Sequence, residues 1–336
     1  MTIKDIARLS GCGVATVSRV LNDYPDVSAA TRERVLAVVK KYDFQPNSNA
    51  RHLKQQTARN VAIIVKGTHN MLFADIVELA QQQIRKKEKD AAVYYLDEDA
   101  NEVAFALRVC REYKPLAILF LGGDLEHFRR DFGGITIPCV LLTNSAERLG
   151  YPNLSSITTD DAAAAEEAVN YLIAHKHTNV GIVGGNWSSS QIGYQRILGC
   201  SNSFKKHGIS FDAARHCEPC RFSMADAYAA AGRLLDRNPD LTAIFAISDV
   251  IALGVIRALV DRGRRVPEDI SVIGYDGIPI GAFSTPRLAT IRQDNHRMAL
   301  RGTEILLERV ECCLPPCYET APFRLVEGES VGVNSR

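Results

Sequence analysis

The sequence predicts a small all-α head followed by an α/β body of two doubly wound parallel-sheet lobes. Three observations carry this expectation. The first 46 residues space their apolar side chains three and four apart, as amphipathic helices do. From Val61 onward, short apolar runs alternate with helical stretches, the pattern of strands covered on both faces. At 336 residues the chain is too long for one ordinary domain, and its strand–helix alternation exceeds one comfortable sheet.

In the head, Thr2-Ile3-Lys4-Asp5 reads as a capping-box-like start, with Ile3, Ile6, Ala7 and Leu9 facing inward. Gly11 ends that helix in a left-handed position. Val14, Val17, Val20 and Leu21 give a second helix its inner face. Ser28 to Thr31 opens a third, carrying Val35, Leu36, Val39 and Tyr42 on one side, and Pro46 closes the unit. The following "NSNARHLKQQTARN" is polar with helical potential, either a linker or a helix formed on a partner.

In the body, "VAIIV", "AAVYYL", "LAILFLGG", "CVLLTN", "VGIVGG", "AIFAIS" and "ISVIGYDG" read as buried strands. Ligands of such folds sit beyond strand C-termini, which here carry Asn144, Gly184-Gly185, Ser248-Asp249 and Asp276. Asp249 reads as the cap of the helix that follows.

Hydrophobic residues at 46% and charged residues at 24% are those of a soluble globular chain. No apolar run approaches the ~20 residues needed to span a bilayer, and the N-terminus has no signal-peptide core. A cytoplasmic protein with no membrane partner is expected. Net charge is +1, yet residues 1–60 hold ten Lys/Arg against five Asp/Glu, so a basic head sits on a mildly acidic body. Such a head suits a polyanion. Nine cysteines read as reduced thiols; Cys217, Cys220, Cys312, Cys313 and Cys317 lack a histidine at ligand spacing, and no metal is expected.

"GCGVATVSRVLN" supports two readings. A dinucleotide-binding loop must follow a strand, but the residues before Gly11 are helical and the third glycine position is Thr16. A helix-turn-helix fits instead, with Ala7 where the helices approach, Gly11 at the turn and Val17 between them. No nucleophile elbow, P-loop or metal motif is present, so neither an enzyme nor a cofactor is expected.

Over essentially its whole length the chain resembles the LacI/GalR family of bacterial transcription regulators. The likeness rests on "TIKDIARLSG", "VATVSRVLN", "VSAATRERVLAVVKKYDFQPN", "NARHLK", "SDVIALGVIRAL", "VPEDISVIGYDG" and "PRLATIRQD". It implies a helix-turn-helix domain at 1–46 and a hinge helix at 47–59. It further implies a body like periplasmic sugar-binding proteins, with one lobe from 60–159 and 292–318 and the other from 160–291 and 319–336.

By this resemblance Val14, Ala15 and Arg19 read bases in the major groove, while Thr16, Ser18 and Asn22 meet phosphate. Leu53 wedges into the minor groove, with Ala50 beside it and Lys54 near phosphate or a base edge. Paired heads imply a homodimer on a palindromic operator. In the body, Arg196 of Arg196-Ile-Leu-Gly199 and Asp276 grip a polar effector, with Phe73 and Phe222 as walls. Ser190, Ser248 and Asn295 match variable polar positions, and Trp187 stacks on a sugar face. Gly277 and Leu72 depart from the family pattern, leaving the effector class open. The implied function is a repressor that senses a carbohydrate, the alternative being a phosphorylated carrier protein as co-effector. At Gly13, where relatives usually have Ser, a capping side chain is missing.

Overall fold

A computed structural model describes residues 3–21, 27–42, 60–68, 70–185 and 192–335. The chain divides into two compact units, Met1–Thr57 and Ala58–Arg336.

The first unit contains α1 (Ile3–Ser10), α2 (Val14–Leu21) and α3 (Ala29–Lys41). Ile6, Ala7, Val17, Val20 and Val35 are buried together, the small core the spacing predicts. Gly11 takes φ +63°, so the turn between α1 and α2 sits where a side chain is least welcome. Ser28 caps α3, its hydroxyl accepting from the Thr31 amide at 3.4 Å. Leu9, Val14, Leu36 and Tyr42 differ from the expected inward faces: each is more than 40% exposed. Leu9 lies two residues beyond Ala7 and Leu36 one beyond Val35, off the narrow stripe that three short helices can bury.

The second unit is built on two six-stranded sheets. The N-lobe holds β1 (Asn60–Lys66), α4 (Leu72–Lys86), β2 (Asp90–Leu96), α5 (Glu102–Tyr113), β3 (Ala117–Leu121), α6 (Leu125–Asp131), β4 (Cys139–Leu142) and β5 (Leu154–Thr159). The C-lobe holds α7 (Asp161–Ala174), β6 (Val180–Val183), α8 (Ile192–Lys206), α9 (Ala213–His216), β7 (Cys217–Glu218), α10 (Met224–Arg237), β8 (Ala243–Ala246), α11 (Asp249–Asp261), β9 (Ser271–Asp276) and β10 (Ala289–Gln293). The chain then returns to the N-lobe with α12 (Asn295–Glu311) and β11 (Tyr318–Ala321), and ends its last strand, β12 (Phe323–Val326), in the C-lobe.

Strand order is β11-β5-β4-β3-β1-β2 in the N-lobe and β12-β10-β9-β8-β6-β7 in the C-lobe. All pairings are parallel except β10 with β12, where an antiparallel edge strand closes the sheet. The central strands are sealed: Val61–Val65 and Ala117–Leu121 are buried at every position, as continuous apolar runs require. Three segments cross between the lobes, at Asp160, Asp294 and Pro322. The second and third lie a few residues beyond the expected junctions. Arg292 and Gln293 complete the β10–β12 ladder, and Glu319 to Ala321 complete β11 against β5.

Two glycines bring helices together. A Cβ on Gly199 would stand 2.0 Å from the Ala162 carbonyl oxygen, and one on Gly254 2.4 Å from that of Met224. The pairs α7–α8 and α10–α11 therefore touch backbone to backbone. Gly199, the last letter of the "RILG" motif, thus serves helix packing directly behind Arg196.

Candidate functional site

On the head, α2 turns Val17 and Val20 inward. Val14, Ala15 and Arg19 form the exposed face and Thr16 and Ser18 are half-buried beside it. Gly13 opens the helix, its carbonyl accepting from the Val17 amide at 3.0 Å. A Cβ at position 13 has room, its nearest neighbour being Thr16 Oγ1 at 3.9 Å. Gly13→Ser is therefore expected to raise head stability by roughly a few tenths of a kcal/mol and to tighten DNA binding. Thermal melts and fluorescence anisotropy on one duplex check this; equal or weaker binding by the variant contradicts it. Asn22, Ala50, Leu53 and Lys54 lie outside the described residues, as do Trp187 and Ser190.

In the body, strand C-termini of the N-lobe together with Ile192, Arg196 and Phe222 of the C-lobe line a cleft that is partly open to solvent. Lys66, Gly67, Gly122, Gly123, Thr143 and Asn144 come from the ends of β1, β3 and β4, as the doubly wound topology dictates. Phe73, at the start of α4, is buried under Gly122, which at φ +74° brings its backbone against the ring. Phe222 and Arg196 contribute from the C-lobe, the latter on α8. Asn144, Phe73, Arg196 and Phe222 were legible in the sequence as strand-end or site residues. Lys66 and Glu98, which also line the cleft, were missed. A charge closing an apolar strand, as in "VAIIVK", is the signal that marks Lys66.

Arg196 is 3% exposed and is engaged through Nε and Nη1. Its Nε donates to Asp161 Oδ1 at 2.7 Å and Nη1 to the Ile247 carbonyl, while Nη1 lies 3.6 Å from Asp276 Oδ1. The guanidinium stacks 3.7 Å over the Tyr275 ring, whose hydroxyl donates to Asp161 Oδ1 at 2.9 Å. Burial opposes the Arg196 charge, but Asp161, Tyr275 and Asp276 outweigh it and hold its proton more firmly than usual.

Asp276 accepts from Gln293 Nε2 at 2.8 Å, and Gln293 in turn accepts from Thr159 Oγ1 at 2.7 Å. Asp276 is thereby tied to two of the crossing segments. Its Oδ2 is buried with no partner among the described residues, and its backbone sits at φ +114°, a strained conformation for a residue with a side chain. Asn295 Oδ1, at the start of α12, is also buried without a partner among the described residues, and, contrary to expectation, neither Asn295 nor Asp276 is among the residues that line the cleft. Burial pushes the Asp276 carboxyl up to about 7, against the pull of Arg196.

The polar pair after β8 divides its work differently from expectation. Ser248 caps α11, accepting from the Ile251 amide at 3.3 Å, and is buried away from the cleft lining. Asp249 is a fully buried bridge, accepting from the Ile278 amide at 2.7 Å and the Thr290 hydroxyl at 2.6 Å. Both residues follow a strand and both suit a cap, so spacing alone could not rank them. Burial, followed by the neighbouring Asp276 charge, pushes Asp249 up to about 8.

All nine cysteines are free. Burial pushes the Cys217 and Cys220 thiols up to about 12, far from the thiolate a metal or a nucleophile needs. Among the described residues no group of His, Cys, Asp and Glu is disposed to hold a metal ion, and no helix is long and apolar enough to cross a membrane.

Comparison with known proteins decides the family. The model of bacterial regulatory proteins of the lacI family matches residues 2–47, and that of a periplasmic binding protein-like domain matches residues 169–331. The HTH-type transcriptional regulator MalR of Clostridium butyricum is 34% identical over 316 residues, covering 92% of this chain and 93% of its own length. The chain belongs to the lacI family of bacterial regulatory proteins.

Other LacI-family similarities agree. A ribose operon repressor of Haemophilus influenzae is 29% identical over 311 residues, with 92% of each chain covered. The structure of the transcriptional regulator CelR in complex with cellobiose is 26% identical with a TM-score of 0.69, covering 98% of this chain and 99% of CelR. The lac repressor dimer bound to operator and an anti-inducer shares the fold, with a TM-score of 0.73 at 22% identity over 99% of each chain. This LacI-family chain is a DNA-binding transcriptional regulator, not an enzyme.

Proposed function

We propose that the chain is a repressor that binds a palindromic operator as a homodimer and responds to a carbohydrate held between its lobes. The observation that carries the effector half is Arg196, which lines the cleft, backed 3.6 Å away by Asp276, whose buried Oδ2 has no partner among the described residues and whose backbone is strained. A buried carboxylate oxygen without a donor is costly, and a sugar hydroxyl is a natural donor for it. The fully covered likeness to CelR, whose structure holds cellobiose, supports the same class. A thermal-shift screen of sugars tests it, because a binder of the native state raises the melting temperature by mass action. No observation favours a phosphorylated carrier protein, and that alternative is not proposed.

The DNA half rests on the exposed face of α2, where Arg19 has the fork geometry that reads guanine O6 and N7. Val14 and Ala15 suit the thymine methyl. Arg19→Ala is expected to lose roughly 1–3 kcal/mol of discrimination at one base pair per half-site. It should keep salt-sensitive non-specific binding, which phosphate contacts supply. Selection of sites from a random duplex pool checks this; an unchanged site preference refutes the assignment. The paired heads require two copies, which light scattering at micromolar concentration reads directly as a dimer.

A further inference from the structure

The N-lobe floor of the cleft carries a charge arrangement that the carbohydrate reading does not use. Lys66 closes β1 and lines the cleft with a side chain only 7% exposed. Its Nζ lies 2.7 Å from Glu102 Oε2, on the first residue of α5, and Glu102 is wholly buried. The same Oε2 meets His127 Nδ1 at 2.9 Å, and Oε1 accepts from the Asp124 amide at 2.6 Å. Glu102 is thus clamped between two segments and fixes the direction of Lys66. Among the described residues the ammonium has that one hydrogen-bond partner, which leaves two of its three N–H donors for the cleft.

Among the described residues the other cations at the cleft are balanced as well. Arg196 faces Asp161 and Asp276. At the rim, Arg221 meets Asp97 at 2.6 Å, Glu98 at 3.2 Å and Asp99 at 3.6 Å, bridging the two lobes. Glu98 also accepts from the Phe222 amide at 3.1 Å and itself lines the cleft. Among the described residues carboxylates therefore outnumber cations around the cavity, and no cation there lacks a carboxylate. A phosphate or carboxylate entering this space would be desolvated without a free counter-charge. A hydroxyl oxygen would find oriented donors at little electrostatic cost.

We infer that the cleft selects an uncharged polyhydroxyl ligand over its phosphorylated or oxidised counterparts, with Lys66, held on Glu102, as the donor that reads it. The inference rests on the carbohydrate reading above and narrows it. Isothermal titration of matched compounds tests it: glucose, ribose, maltose and cellobiose against glucose 6-phosphate, ribose 5-phosphate and gluconate. An uncharged sugar is expected to bind, with its charged counterpart at least tenfold weaker. Lys66→Met should weaken the uncharged sugar at least tenfold. Glu102→Gln keeps an acceptor for the Asp124 amide while freeing the Lys66 charge, so the charged counterpart should gain at least threefold relative to its parent.

Circular dichroism establishes that each variant is folded. Should a single variant fold poorly, the double variant Lys66→Met/Glu102→Gln removes both charges and gives the same reading on the uncharged sugar. A charged sugar that binds the native chain more tightly than its parent overturns the inference and leaves the carbohydrate reading standing. Unchanged affinity in Lys66→Met overturns the role of Lys66. No binding by any member of the panel overturns the carbohydrate reading itself.

Discussion

Arg196→Met is expected to destabilise the two-lobed unit by about 3–5 kcal/mol, the cost of stranding buried charge by removing its partner. Asp161 and Asp276 would both lose their cation, and Asp161 Oδ1 would keep only the Tyr275 hydroxyl. The loss has a pH signature. Both stranded carboxyls are already raised by burial, and without Arg196 they rise further. Protonation relieves the penalty, so the deficit should shrink as pH falls from 8 toward 5. Urea denaturation of both proteins at several pH values measures this. A deficit that is constant with pH would mean that lost packing over Tyr275, not charge, dominates. Arg196→Lys should rescue little, because one ammonium cannot reach Asp161 and the Ile247 carbonyl in the fork geometry that the guanidinium uses.

The native chain carries its own pH dependence. Unfolded, a carboxyl of this kind ionises near ~3.9. Folded, Asp249 holds its proton up to about 8 and Asp276 up to about 7. Between these limits the native state binds more protons than the unfolded one, so these groups make stability fall as pH rises. Their contribution is fully present below about pH 4 and is lost as pH climbs through the folded values, at up to roughly 1.4 kcal/mol per pH unit for each group. Asp249→Asn should flatten the decline between pH 6 and 8. Its amide oxygen can accept from Ile278 and its amide nitrogen can donate to the Thr290 hydroxyl, preserving both bonds. Urea midpoints across that range decide the matter; an unaltered slope would show that Asp249 is not the titrating group.

The lobes were legible because each buried strand announces itself as a short unbroken apolar run, and the topology then places the cleft. Arg196, which lines the cleft, was legible through a short motif, "RILG", that keeps its letters together. The Lys66 network was not. Its members stand 36 and 25 positions from one another in the chain and converge only because β1 and the loop after β3 are brought side by side. The exposed Leu9, Leu36 and Tyr42 failed for a different reason. Hydrophobic spacing gives the direction of a helix face but not its width, and three short helices have little core to share.

The route of the chain through the lobes also sets an order of manufacture. The N-lobe starts at β1, yet α12 (Asn295–Glu311) packs on it, burying Met298, Ile305 and Leu306 in its core. Its edge strand β11 pairs with β5 only when residues 318–321 arrive. A nascent chain therefore leaves the ribosome with its first lobe bare along one face until the whole second lobe has been made. Neither half can mature alone, and the joining contacts span well over a hundred residues, which slows folding and lengthens exposure to chaperones. The triple crossing that ties the two lobes together makes the newborn protein vulnerable for most of its synthesis.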